Sequence, residues 1–198
     1  MIPMAMTLYA SFIFDNNWFI DATFKYGWLN NEYDINYQGF EYNGDFDTTA
    51  YAVSAEVGKR FSLTENFFLE PQVQVTFSQV LGEKYTTSNG IRVDLDDFSS
   101  LITRAGLLAG VNFADNRGMA YFRASYLYDF DGDLSTYFAD ASEAANVDQD
   151  LSGGWCELDL GLDFNFTEAL SGYAEIEYAD GAEIESPFRW NLGLRYSF

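Results

Sequence analysis

Histidine is absent from the 198 residues, which removes the side chain most often used as general base and metal ligand near neutral pH. Cysteine occurs once, at Cys156, so the chain can form neither an internal disulfide nor a thiolate metal cluster. Bases are scarce: 10 Lys and Arg against 31 Asp and Glu give a net charge of −21. Such a chain gains no affinity by neutralising phosphates, which excludes nucleic acid as a partner. No apolar run approaches the ~20 residues that a membrane-spanning helix requires. The start, "MIPMAMTLYASFIF", lacks both a basic n-region and a small-residue cleavage site and does not read as a signal peptide. The expectation is that a secretion signal was removed or that the chain is a piece of something longer.

Aromatic residues, by contrast, are plentiful. Phe, Trp and Tyr make up 19% of the chain, far more than a disordered acidic segment carries. They fall in runs of period-2 alternation at roughly 5–14, 18–28, 48–61, 67–79, 99–113, 118–130, 154–166, 170–179 and 187–198. No helical period competes over a comparable length. The links between these nine runs sort by parity. Those after the first, third, fifth and seventh are short (15–17, 62–66, 114–117, 167–169); those after the second, fourth and sixth are long (29–47, 80–98, 131–153); 180–186 is intermediate. A soluble sandwich has no reason to sort its loops, whereas an up-and-down transmembrane barrel keeps short turns periplasmic and long loops outside.

The runs have two distinct faces. Phe67, Leu69, Val73, Val75 and Phe77 alternate with Glu70, Gln72, Gln74 and Thr76; Cys156, Leu158, Leu160 and Leu162 alternate with Glu157, Asp159, Gly161 and Asp163. Alternation alone does not separate a soluble sheet from a barrel in lipid. Aromatic placement does. Rings gather at run ends, among them Trp18, Trp28, Phe61, Phe67, Tyr128 and Trp155, with aliphatic residues between. Strand propensity enriches aromatics without driving them to the ends; two membrane–water interfaces would do so, and these six are expected there. Segments 29–47 and 131–153 are acidic with no Lys or Arg, while most arginines lie inside the runs. A charged side chain costs ~2–4 kcal/mol at the lipid midplane. Glu56, Arg60, Glu70, Arg104, Arg123, Glu157, Glu175, Arg189 and Arg195 are therefore expected to line a polar lumen. Cys156 is in register with Leu158 and reads as an inert, lipid-facing hydrophobe.

Four segments, "FFLEPQVQVTFSQV" (67–80), "LITRAGLLAGVNF" (101–113), "AYFRASYLYDFDGD" (120–133) and the terminal "WNLGLRYSF" (190–198), resemble in order successive strands of the classical (type Va) autotransporter translocator domain. The likeness runs from about Leu8 to Phe198. It implies an all-β fold, an antiparallel up-and-down barrel of twelve strands in the outer membrane of a Gram-negative bacterium. It also implies a lumenal helix joined to a passenger, which the barrel exports and anchors at the cell surface. Trp190, Tyr196 and Phe198 would form the signal read by the barrel-assembly machinery. The implied partners are that machinery, outer-membrane lipid and lipopolysaccharide, and the chain's own passenger, with no cofactor. Nine runs are visible rather than twelve, and nine strands leave an open edge in lipid. Residues 1–198 are thus expected to be one barrel domain missing its first strands. The alternative is a small eight-stranded structural or adhesion barrel formed by residues 18–198, with 1–14 as a leader outside it.

Candidate chemistry is thin. "DFDGDLS" (129–135) spaces Asp129, Asp131 and Asp133 two apart, but a calcium loop of the EF-hand type needs Gly sixth and Glu twelfth. Here Gly132 is fourth and the twelfth residue is Asp140, so the segment reads as a solvated strand-to-loop transition and no metal site is expected. No nucleophile–base pair is identifiable, so no catalytic residue and no enzymatic activity is expected.

Overall fold

The computed structural model describes residues 4–37, 40–113, 117–181 and 188–197. Strands β1 (Met4–Ile13), β2 (Trp18–Tyr37), β3 (Phe40–Lys59), β4 (Phe61–Ser62), β5 (Phe67–Val80), β8 (Phe98–Asn112), β9 (Gly118–Asp129), β12 (Gly153–Asn165), β13 (Leu170–Asp180) and β14 (Phe188–Tyr196) form one antiparallel sheet. The order is β1-β2-β3-β5-β8-β9-β12-β13-β14, with β4 paired to β5. Each strand lies beside its neighbours in sequence, the up-and-down arrangement that short turns enforce. The sheet curves enough for side chains two strands apart to meet: Arg104 of β8 pairs with Glu56 of β3 across the intervening β5. Among the described residues no strand lies outside β1 or β14.

β1 is paired with β2 along its whole length, from Met4↔Trp28 to Ile13↔Phe19. This contradicts the eight-stranded alternative, in which residues 1–14 stay outside the sheet. The reason lies in the residues: Leu8, Ala10 and Phe12 continue one apolar row with Phe24, Ala22 and Ile20 directly opposite.

The short links are turns built from local hydrogen bonds. Asn17 takes a left-handed φ of 64°, which Asn tolerates better than most side chains, and the Phe14 N–H donates to the Trp18 carbonyl at 2.9 Å. "TENF" and "TEAL" repeat one solution. The Thr64 hydroxyl accepts the Phe67 N–H (3.0 Å), as that of Thr167 accepts the Leu170 N–H (2.9 Å).

The long links are more ordered than their sequence suggests. Most of 29–47, read as a loop, instead extends β2 and β3 into a hairpin paired from Trp18↔Lys59 to Tyr37↔Phe40. The other two long links supply β6 (Lys84–Thr86), β7 (Arg92–Leu95), β10 (Asp133–Ala139) and β11 (Ala144–Asp150). These make a separate four-stranded sheet in the order β11-β10-β7-β6, so two loops distant in sequence are joined by the β10–β7 pairing. Its small core is Val93, only 2% exposed, beside Tyr85, whose ring stacks on Phe46 of the β3 extension at 4.7 Å. The Ser88 N–H donates to the Asn43 carbonyl at 3.0 Å and the Asn43 N–H to the Ser88 hydroxyl at 3.1 Å, which ties the β6–β7 turn to the hairpin.

Close cross-strand packing marks the concave face. Phe19 lies opposite Gly58, Phe68 opposite Gly110, Tyr121 opposite Gly161 and Tyr173 opposite Gly193. In each pair a Cβ on the glycine would overlap the ring. Glycine is required there because the neighbouring ring lies flat over its backbone.

Candidate functional site

The sheet has two chemically different surfaces, and the alternation of side chains assigns every residue to one of them. On the convex face Ile20, Val53, Val57, Val73, Val75, Leu107, Leu158, Leu160, Ile176, Leu192 and Leu194 are exposed, Leu160 at 59%. Contiguous exposed apolar area on this scale is not sustained in water. Rings border it at both ends. Near the short turns are Trp18, Phe61 and Phe67, with Lys59 Nζ 5.4 Å from the Trp18 ring and 5.1 Å from that of Phe61. Near the long loops are Trp28, edge-on to Tyr26 at 4.6 Å, and Tyr128, 4.7 Å from Phe130. Trp190 and Tyr196 also lie on the convex face, in the row of Leu192 and Leu194. Phe198 falls outside the described residues.

Trp155 departs from expectation. It shares the face of Glu157, and its indole N–H donates to Glu157 Oε1 at 2.9 Å. Proximity to a strand end suggested an interface ring; parity with Glu157 and Asp159 turns it inward. It belongs to the polar face.

The concave face carries the charges. Arg60 Nε donates to Glu70 at 2.7 Å, and its guanidinium lies 4.0 Å over the Phe68 ring. Gln72 Nε2 donates to the other oxygen of Glu70 at 2.8 Å. Arg104 pairs with Glu56, with Gln74 directly between them in the register. Arg123, Asp159, Glu177 and Arg189 stand opposite one another in a single row across β9, β12, β13 and β14. In that row Arg123 Nε donates to Asp159 Oδ2 at 2.8 Å, and Arg189 Nε to Glu177 Oε1 at 2.8 Å. The same arginines reach sideways, Arg123 to Glu175 (3.8 Å) and Arg189 to Glu157 (3.5 Å). Tyr121 donates its hydroxyl to Glu175 at 2.6 Å. Arg195 shares this face by its place in the register, opposite Ser171 on β13. Eight of the nine charged residues singled out in the sequence therefore stand in direct ion pairs on one face, and Arg195 lies beside them.

Other members of the face were not singled out. Asp21 lies opposite Glu56 and lines a cavity of about 340 Å³ with Ser11, Phe19, Arg60 and Glu70. The alternation in 18–28 carried that signal, because Asp21 falls between outward Ile20 and Ala22. Among the described residues, Asp21 Oδ1, Gln72 Oε1, Arg104 Nε, Ser125 Oγ and Asp159 Oδ1 are buried without a hydrogen-bond partner. The aspartates of 129–133 do not converge on a metal-like centre. Asp129 instead clasps two strand ends, accepting from the Ser100 hydroxyl (2.6 Å) and the Leu101 N–H (2.9 Å), while Asp131 accepts from Ser99 (2.7 Å).

Outside the sheet, Asp140 closes the β10–β11 turn. Its carboxylate accepts the Ser142 and Glu143 N–H groups and the Ser142 hydroxyl, which holds its pKa below the ordinary carboxylate value, the Ser142 N–H contributing most.

Comparison with known proteins matches this arrangement to one family. The profile of the Autotransporter beta-domain covers residues 4–177. The chain is 31% identical over 194 residues to the pertactin autotransporter of Bordetella parapertussis, covering 96% of this chain and 21% of that protein. It is likewise 31% identical over 196 residues to the BrkA autotransporter of Bordetella pertussis, covering 96% and 19%. The chain thus spans about a fifth of the length of these relatives. Its fold superposes on the crystal structure of the β-domain of Bordetella BrkA with a TM-score of 0.78 at 27% identity, over 99% of this chain and 73% of that one. The transport unit of AIDA-I from Escherichia coli shares the fold, with a TM-score of 0.76 at 17% identity.

Proposed function

The chain belongs to the autotransporter β-domain family, and from that premise we propose that its sheet walls a channel through which a passenger polypeptide reaches the cell surface. As a member of that family it is an outer-membrane β-barrel domain. The observation that carries the reading is the split between an exposed apolar convex face and an ion-paired concave one. Lipid contacts the first; a hydrated polypeptide contacts the second. The mechanism is physical. Arg60, Arg104, Arg123 and Arg189 are already engaged by carboxylates, so these four would wet a passing chain without gripping it. The reading includes no catalytic step.

The remaining parts follow from the same physics. Unpaired backbone at the outer edges of β1 and β14 is not tolerated in hydrocarbon, so further strands would complete the barrel, in keeping with the part of the BrkA β-domain that this chain does not cover. Trp190 and Tyr196 on β14 would present the outward row read by the assembly machinery, and Phe198, which lies outside the described residues, is proposed as part of the same signal by its place in the sequence alone. The girdle rings Trp18, Trp28, Phe61, Phe67 and Tyr128 would set the depth in the bilayer. The acidic loops would face lipopolysaccharide.

The test is an epitope-tagged passenger on the full gene product, with protease added to intact cells. Export predicts cleavage of the tag outside. A barrel that inserts while the tag stays protected would refute the reading.

A further inference from the structure

The row Arg123–Asp159–Glu177–Arg189 places two carboxylates directly opposite each other, Asp159 against Glu177, between two arginines. Two more acids join them. Glu175 is the diagonal neighbour of Asp159, being opposed to Gly161, and Glu157 is the next inward residue on β12. Four carboxylates thus share two guanidinium groups, and the cluster keeps a net negative charge of two. Asp159 is 1% exposed, and only its Oδ2 has a partner; Oδ1 is buried with none among the described residues. Glu175 and Glu177 retain partly accessible side chains, at 19% and 12%, at the lumenal front of the cluster. By comparison Glu70, also buried, has both oxygens engaged, one by Arg60 and one by Gln72. A buried carboxylate oxygen without a donor is unfavourable, and at this position any positive group in the lumen would be attracted.

We propose that Asp159, Glu175, Glu177 and Glu157 form a seat for one basic side chain, a guanidinium or ammonium, on a polypeptide segment held in the lumen. The polypeptide nature of the ligand rests on the translocator reading; the positive charge rests on the cluster alone. A metal ion does not suit the site, because among the described residues no three acidic groups converge with metal-holding geometry. An arginine or lysine suits it, since a planar fork or ammonium donates to several carboxylate oxygens at once. Such a seat would give the lumen one place that holds a segment in register while the saturated pairs elsewhere let it slide.

The test uses the full gene product in planar bilayers, with penta-arginine as the probe and a glycine–serine pentapeptide as the comparison. Penta-arginine is expected to block the current. Asp159→Asn is expected to raise its half-blocking concentration about tenfold, because it removes one negative charge directly behind the accessible Glu175 and Glu177. Glu177→Gln should act in the same direction, and Asp148→Asn on the outer sheet should leave the block unchanged. Heat-modifiable gel mobility reports folding, and Glu177→Gln carries the test if Asp159→Asn does not fold. Equal block by the two peptides, or unaltered block in both lumenal variants, would overturn the proposal. So would block by millimolar calcium that depends on Asp159 without block by penta-arginine. Passenger export by the unaltered protein is measured separately: lost export with retained penta-arginine block would sink the translocator reading and leave the seat standing.

Discussion

The curved wall and the outer four-stranded sheet are built from the same backbone pairing, yet their side chains obey different rules. Along β12, Leu158 and Leu160 stand exposed on one face while Glu157 and Asp159 are buried on the other. Along β11 all seven residues are exposed, and Val147 sits among Asn146, Asp148 and Asp150 with no partition. Backbone hydrogen bonding satisfies both sheets. Strict alternation appears only where the two faces meet two media, hydrocarbon and a hydrated lumen. The outer sheet meets water on both sides only at its β11 edge, and is held by its ladder, the buried Val93, a few rings around Tyr85, and turn bonds such as those of Asp140.

Substitutions that violate the wall's rules should cost far more than comparable ones outside it. The largest effect is expected from Arg123→Met, which strips Asp159 of its only ion-pair partner among the described residues. Leaving that carboxylate buried and unpaired should cost about 3–5 kcal/mol, read as a fall in the urea midpoint of the full gene product in lipid vesicles. Adding Asp159→Asn should restore most of the loss. Next is Leu160→Lys on the convex face, expected to cost ~2–4 kcal/mol in the same vesicles. Val147→Lys on β11 should stay within about 0.5 kcal/mol. Equal costs at these two positions would erase the distinction between the regions.

These contrasts also explain what the sequence made legible. The nine wall strands could be read because each carries a two-faced pattern over about ten residues, and parity alone assigned Glu56, Arg104, Arg123 and Arg189 to one face. The β2–β3 extension was legible and passed over: Tyr33, Ile35 and Tyr37 alternate with Glu32, Asp34 and Asn36, but the acidity of the segment and its place between two apolar runs read as a loop. The outer-sheet strands are only three to seven residues long, too short to show a period. Trp155 was misplaced by weighing its nearness to a strand end over its parity. The β10–β7 pairing joins residues 41 to 47 positions apart, from Thr136↔Leu95 to Ala139↔Arg92, which no local signal encodes.

A smaller effect is expected from Gly161→Ala. Its methyl would enter the space of the Tyr121 ring, costing about 1–3 kcal/mol by overpacking. Tyr121→Ala should relieve the clash in a double variant, which separates crowding from backbone strain. The smallest effect lies outside the wall. Because Asp140 has its pKa lowered in the folded turn, its stabilisation is fully present above the ordinary Asp value and is lost as pH falls through the lower, folded value. Amide protection at Ser142 and Glu143 should decline over that acid window. In Asp140→Asn it should be weaker at neutral pH and indifferent to the change.

The most direct measurement of the central claim is a scan of single cysteines along β12 in a Cys156→Ser background, at 157 through 163. A fluorophore attached to each cysteine before refolding would report contact with hydrocarbon through quenching by brominated lipid, and in a parallel sample of free thiols labelling by a water-soluble maleimide would report contact with the lumen. The account predicts strict alternation: 158, 160 and 162 quenched by lipid and unlabelled, 157, 159, 161 and 163 unquenched, with labelling where the lumen reaches them. A scan with no period of two, or with the faces reversed, would contradict it.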